Sequence, residues 1–322
     1  MSEEYLKRKL KVIKGSDPLI TFRRRSRAGR NNMRISKEKH VFKMSPDNMP
    51  AAKCNSGDVV VFETMDCFCD ALIPENTIFG EAYLKNTNPA TGPLYINNAK
   101  VGDTLKIDII DIQVGDVGIY VSGPANKIFE VFFSDFQVDR IKVEDGFVHL
   151  SKDLIVKSKP MIGVIGLADD GGTATMLPGV HGGNMDCNDI CKGTSLYLPV
   201  LVEGGLLAIG DLHALMGDGE IGECGLEIHG TVTVKVTVIK DKKVAAPIVE
   251  SNDFIELIGL GNTIEEATHH ASQEMFRYLV DELKIESRDA ARILCLCSDL
   301  KICQQANKIK TVAMRVPKYA IV

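Results

Sequence analysis

Tryptophan is absent from this 322-residue chain, so no indole is available for the stacking platforms that single-stranded nucleic-acid binders use. No apolar run approaches the roughly 20 residues a membrane-spanning helix needs. The opening MSEEYLKRKLKVIKG has no apolar stretch followed by small residues, so it does not read as a secretory signal. The nine cysteines form CxC pairs at Cys67/Cys69 and Cys295/Cys297 and a CxxxC at Cys187/Cys191. A CxxC…CxxC frame is missing, which excludes a zinc ribbon. Without a signal the cysteines read as reduced thiols of a cytoplasmic protein. A net charge of -5 argues against a general nucleic-acid binder. Several catalytic signatures are missing too: no GxSxG elbow, no Walker loop, no GxGxxG after a strand and no HExxH. The Gly- and Ser-rich stretch that carries a Ser-Ser-Lys triad is also lacking. What is present is an ordinary globular balance, 45% hydrophobic and 25% charged.

The first forty residues differ from the rest. Arg23, Arg24, Arg25, Arg27, Arg30 and Arg34 crowd a segment poor in apolar residues. It reads as a basic, solvated arm over residues 1–40, with a polyanion-binding arm as the alternative. From Val41 onward the pattern is mostly β. Asp58–Glu63 is a β-branched run, and Thr104–Ile112 alternates with Leu105, Ile107 and Ile109 on one face. Met161–Leu167 and Leu206–Ile209 are short buried runs, and Thr231–Ile239 alternates Val with Thr or Lys. A long helical period appears only late. Thr263 caps a helix with apolar residues at Ala267, Ala271, Met275, Leu279 and Leu283, and a second helix follows Ser287. The expected fold is a mainly β core, sandwich- or barrel-like, over 41–322, with a small C-terminal α/β element and helices near 263–300.

The densest chemistry lies in Leu177–Glu227. GVHGGNMD projects His181, Asn184 and Asp186 from one glycine-lined turn, although Asn and Asp also serve turns structurally. GDLHALMGDGE adds Asp211, His213, Asp218 and Glu220, with His213 at a strand end. Glu227 stands in an apolar strand, where a carboxylate is costly unless paired or metal-bound. Upstream, Glu63 and Asp66 end a valine-rich strand, and Glu63 there reads as a base, a ligand or a paired core charge. Cys67 and Cys69 are the nearest thiols, and a nucleophilic cysteine is a minor alternative. Histidine and carboxylates on rigid loops fit hydrolysis by an activated water best.

These residues carry a resemblance. GVHGGNMDCNDI, TSLYLPVLVEGGLLAIGDLHALMGDGE and CGLE resemble the acetamidase/formamidase family, as do GDVVVFETMDCFCD, NPATGPLYINNAKVGDTLKIDIIDI and KPMIGVIGLA. The likeness covers about residues 40–320. It implies a β-rich homo-oligomer, dimer or higher, that hydrolyses short linear amides such as formamide or acetamide to a carboxylate and ammonia. It also implies a divalent metal, zinc first and calcium second. The matching polar positions are Glu63, Asp66, His181, Asn184, Asp186, His213, Asp218, Glu220 and Glu227. Among them we expect Asp66, His181, Asp186 and His213 as metal ligands. Glu227, Glu220 and Glu63 are the acid–base candidates, Glu227 first, with Asn184 and the Gly182–Gly183 amides at the oxyanion. Neither a nucleic-acid nor a membrane partner is expected. A non-catalytic metal- or ligand-binding β-sandwich is the alternative from another class.

Overall fold

The computed structural model describes residues 33–75, 79, 86–124 and 128–321. Residues 1–32, which hold most of the arginine run, lie outside the described residues. Strand formation follows the β-branched pattern. In Val59–Thr64 the side chains of Val60, Phe62 and Thr64 are buried and those between them half-buried, the alternation of a pleated strand with one covered face. It pairs antiparallel with Gly230–Ile239, whose Val232, Val234 and Val236 face inward. On its other side Gly230–Ile239 runs along the whole of Thr104–Ile112 and on to Val114. The ladder slips at Thr233/Val234, where Asp111 and Ile109 become consecutive partners. Ile110 is the extra residue, which is why it is exposed while Ile109 and Ile112 are both buried.

Among the described residues these strands belong to a nine-stranded sheet. Its order is Met33–Ile35, Val59–Thr64, Gly230–Ile239, Thr104–Val114, Ser195–Pro199, Ile248–Glu250, Phe254–Gly261, Lys310–Pro317 and Asp299–Gln304. A second sheet is centred on Leu207–His213 and Met161–Gly166, which pair antiparallel. Ala90–Ile96 and Glu227–Ile228 flank the first of these, and Gly182–Asn184 flanks the second. Val117–Ser122 and Gln137–Glu144 extend it outward. The two sheets share one core. Phe62, Leu105, Ile107 and Val232 from the first pack in the same buried cluster as Leu94, Ile162, Ile165 and Ile209 from the second. Fully burying an aliphatic or aromatic side chain contributes about 1.5–3 kcal/mol, so this cluster is the main source of stability.

The helical element is small and C-terminal. Thr263 accepts a hydrogen bond from Glu266 N (3.1 Å), capping the helix Ile264–Arg277, which buries Ala267, Ala271 and Met275. Gly259 and Gly261 make the seat: a Cβ on either would lie 2.3 Å from the backbone of Ala267. The second helix, Ser287–Leu296, is capped by Glu286, whose carboxylate accepts from Arg288 N and Asp289 N.

Among the described residues the first strand, Met33–Ile35, lies inside the segment read from sequence as a basic arm. Met33–Ile35 pairs parallel with Val60–Phe62, Ile35 is buried, and Arg34 forms an ion pair with Glu63. Three residues are too few to display a period, and the basic neighbours mask them.

Candidate active site

Two adjacent strands and two loops build the site. Leu207–His213 is buried along its length and carries Asp211 and His213 near its end. The ladder sets Glu227 directly across from His213, and His213 Nε2 lies 3.1 Å from Glu227 Oε2 and 3.6 Å from Asp211 Oδ1. On the far side of Met161–Gly166, the carbonyl of Gly163 accepts from Met185 N (3.1 Å) and Asp186 N (3.4 Å), which hangs the Asp186 loop on the strand. Gly163 thus sits beneath two carboxylates. A Cβ there would lie 2.6 Å from Asp186 Oδ1 and 2.6 Å from Asp211 Oδ2, so only glycine lets both reach the site. Glu220 enters from the loop after His213.

The C-terminal hairpin braces both loops. Thr311 Oγ1 donates to Met185 O (2.8 Å), Gly219 N donates to Cys303 O (3.0 Å), and Gln305 N donates to Gly219 O (3.0 Å). Asp189, three residues past Asp186, is ion-paired to both Lys301 and Arg315.

Three of the four carboxylates stand on strained backbone. Asp186 has φ 46°, Asp211 55° and Glu220 44°. The left-handed region costs a non-glycine residue of order 1–3 kcal/mol, and such residues gather at functional sites. Here the twist turns three acidic side chains towards one point.

The electrostatics match. Asp186, Asp211, His213, Glu220 and Glu227 are each at most 8% exposed. Burial, then the neighbouring Asp211 charge, pushes the Asp186 carboxyl up to about 8. Burial and Glu227 raise Asp211 to about 6, and burial and Asp186 push Glu220 well above the usual range. For His213 burial works against the charge, but Glu227 and Asp211 outweigh it and hold the imidazole well above its ordinary value. Burial would raise Glu227; His213 overrides it and keeps that carboxylate low. Four acids crowd one imidazole, and without a cation the crowding is relieved by protons held on Asp186 and Glu220.

That site suits a cation. Both oxygens of Asp186 and Oε2 of Glu220 are buried without a hydrogen-bond partner. Donor atoms of Asp186, His213 and Glu220 lie within 4.8 Å of one another, as do those of Cys67, Asp211 and Glu227. An imidazole with carboxylates is a zinc-type donor set, whereas calcium takes oxygens alone. All of these groups except Asp186 line a cavity of about 190 Å³, with Asn88, Asn184 and Cys224 also on its wall. Asn88 Nδ2 donates to Asp211 Oδ2 (2.8 Å), and Gly225 N donates to Glu227 Oε1 (2.9 Å).

Of the expected site residues, the fold brings together Asn184, Asp186, His213, Glu220 and Glu227. Glu63 stands apart. Phe62 and Thr64 take the inward positions of its strand, so Glu63 points to the other face and pairs with Arg34. Asp66 is buried but serves its own turn: Oδ1 accepts from Phe68 N (2.9 Å) and Asp70 N (2.7 Å). Its Oδ2 has no partner, and burial, with the charges of Asp70 and Glu227 adding, raises it to about 7. His181 packs against Gly179 and Gly183 with Nε2 unsatisfied, and burial lowers its pKa. Among the described residues neither Asp66 nor His181 belongs to a group of three donors. Gly182 and Gly183 lie in a strand paired with Gly166 and Ile165, not in an open loop. Asp218 bonds Asn188 and Lys301 near the surface. The residue sequence reasoning left without a role is Asp211; its signal was the two-residue spacing from His213 in one strand. Asn88 arrives by long-range contact and had no local signal; Cys67 had been singled out only as a nearby thiol.

Among the described residues, this buried carboxylate–imidazole cluster beside a small cavity is the candidate small-molecule site of a mainly β protein. The family model of the Acetamidase/Formamidase family matches residues 30–168 and 164–280, and the chain belongs to that family. A formamidase from Methylophilus methylotrophus is 48% identical over 71 residues, a stretch that is 22% of this chain and 17% of that protein. The crystal structure of an acetamidase from Bacillus halodurans superposes with a TM-score of 0.86 at 39% identity, covering 89% of this chain and 98% of that one. An acetamidase from Yersinia enterocolitica gives a TM-score of 0.83 at 28% identity over 92% and 95% of the two chains.

Proposed function

We propose that this protein hydrolyses short linear amides to a carboxylate and ammonia, with a divalent metal, zinc first, held by Asp186, His213 and Glu220. The observation that carries the reading is the meeting of those three donor atoms within 4.8 Å in a buried, carboxylate-rich site beside a small cavity. A bound divalent ion supplies Lewis-acid polarisation of a carbonyl and lowers the pKa of a water. Cys67, Asp211 and Glu227 form a second set of donors next to the first.

The chain's own groups then move protons. Glu227 is oriented by Gly225 N on Oε1 and lies on the cavity wall, so its carboxylate can take the proton of an attacking water. The same carboxyl can return that proton to the departing nitrogen, which leaves poorly as an anion. Asn184 lines the cavity with an amide oxygen that has no partner, and so can hold the substrate amide. A cysteine nucleophile is the weaker reading. Cys67 and Cys224 touch the site, but burial first and Glu227 second push both thiols well above the range of a reactive thiolate.

The test is metal analysis of purified protein together with ammonia release from formamide, acetamide and longer amides. Chelation should abolish turnover and added zinc restore it, while a thiol reagent should act weakly. Full activity in thoroughly metal-free protein would remove the metal from the reading. A cytoplasmic homo-oligomer, dimer or higher, completes the proposal, and size-exclusion chromatography tests the assembly.

A further inference from the structure

The cavity wall carries two kinds of side chain. One group is Asp211, His213, Glu220 and Glu227. The other is apolar and largely aromatic: Phe68, Phe79, Phe136, Val121 and Met176. The aromatic rings are packed, not incidental. Phe79 meets Phe68 edge-on at 5.8 Å and Phe136 at 4.9 Å between centroids. Phe136 lies so close over Gly123 that a Cβ there would sit 2.4 Å from its ring. The same residues, except Met176, belong to a separate apolar cluster with Leu72 and Ile119, which anchors the wall.

We infer that this wall is a subsite for an apolar acyl chain, and that the preferred substrate is a primary amide with several carbons rather than formamide. The inference rests on the amidase reading above. An amide carbon is trigonal and has three directions. Its nitrogen must meet the proton-carrying carboxylates, and its oxygen must meet the polarising groups beside them. The remaining direction belongs to the acyl substituent, and the apolar wall is the side left to it. An apolar group on nitrogen would instead be driven into the buried acids, where it would strip their polar contacts. Size agrees with the direction. A cavity of about 150 Å³ lined by aliphatic and aromatic side chains holds benzene in another protein. This one, at about 190 Å³, has room for the reacting amide and a short chain, whereas formamide would leave the aromatic side chains uncovered.

The test is kcat/KM for formamide, acetamide, propionamide, butyramide and N-butylformamide, on the protein as purified and on Phe136→Ala and Val121→Phe. In the native protein kcat/KM should climb about fourfold per added methylene, the usual value of burying one. Val121→Phe fills the subsite and should lower the butyramide-to-formamide ratio by about tenfold or more. Phe136→Ala removes part of the wall and should lower the same ratio. A ratio is read because a general loss from misfolding moves both substrates alike. N-butylformamide should be poorer than butyramide. Hydrolysis of formamide with kcat/KM falling along the series, or with N-butylformamide the better substrate, overturns this inference and leaves the amidase reading standing. Hydrolysis of none of these amides overturns both.

Discussion

Gly163→Ala is the sharpest perturbation the geometry offers, because it removes no reacting group and adds one methyl. The new Cβ would lie 2.6 Å from Asp186 Oδ1 and from Asp211 Oδ2, and 2.8 Å from the backbone oxygen of Asp211. Ordinary contact begins near 3.4 Å, so each carboxylate must retreat by about 0.8 Å, while the Asp211 backbone is held in a strand and cannot. Overpacking of this kind costs about 1–3 kcal/mol, against a domain stability of about 5–15 kcal/mol. The variant should therefore fold, with its melting temperature lowered by several degrees. The site should suffer more than the fold, since a displacement of about 1 Å at reacting groups can cost about 10²-fold in rate. Bound metal by elemental analysis, melting temperature and kcat/KM for an amide are to be measured side by side. Gly171→Ala is the control: a Cβ there would meet only Asp169 Oδ2, at 3.8 Å. Native metal content and native turnover in Gly163→Ala would refute the placement of the reacting centre between Asp186 and Asp211.

Other expectations follow from the same geometry. His213→Ala should lose metal and turnover together, whereas Glu227→Gln should keep metal and lower turnover by about 10²–10⁴-fold; loss of metal from Glu227→Gln would make it a ligand and not the base. Glu63→Ala should leave turnover unchanged and cost at most about 1 kcal/mol, because it removes only a half-exposed pair with Arg34; a large fall in kcat would bring Glu63 back as a base. In metal-free protein Asp186 keeps its proton up to about pH 8 when folded but loses it near 3.8 when unfolded. The folded state then binds the extra proton, so stability should fall as pH rises through that window, and divalent-ion affinity should rise with pH as the proton is displaced. Melting curves from pH 5 to 8 with and without zinc check this; a metal-free melting temperature that climbs with pH would contradict it.

Much of the frame was legible because it depends on local period. The alternation of Thr104–Ile112 and of Thr231–Ile239, the valine run before Glu63 and the cap at Thr263 are each written within a few residues, and each became the expected strand or helix. Asp186, His213, Glu220 and Glu227 could be picked out because a charged residue in glycine turns or apolar strands needs a partner. The choice among those candidates was a matter of direction, which periodicity does not carry. Glu63 and Asp66 are three residues apart in sequence, yet one alternation turns Glu63 to the outer face and a tight turn engages Asp66 with its own backbone. Positive φ at Asp186, Asp211 and Glu220 aims three side chains that sequence alone could not orient. Asn88 and Asp211 are 123 residues apart and meet only because Ala90–Ile96 pairs with Leu207–His213. Local residue pattern determined the elements and the stock of chemical groups. Strand pairing and backbone twist decided which of those groups share one buried space, because that depends on contacts between segments far apart in the chain.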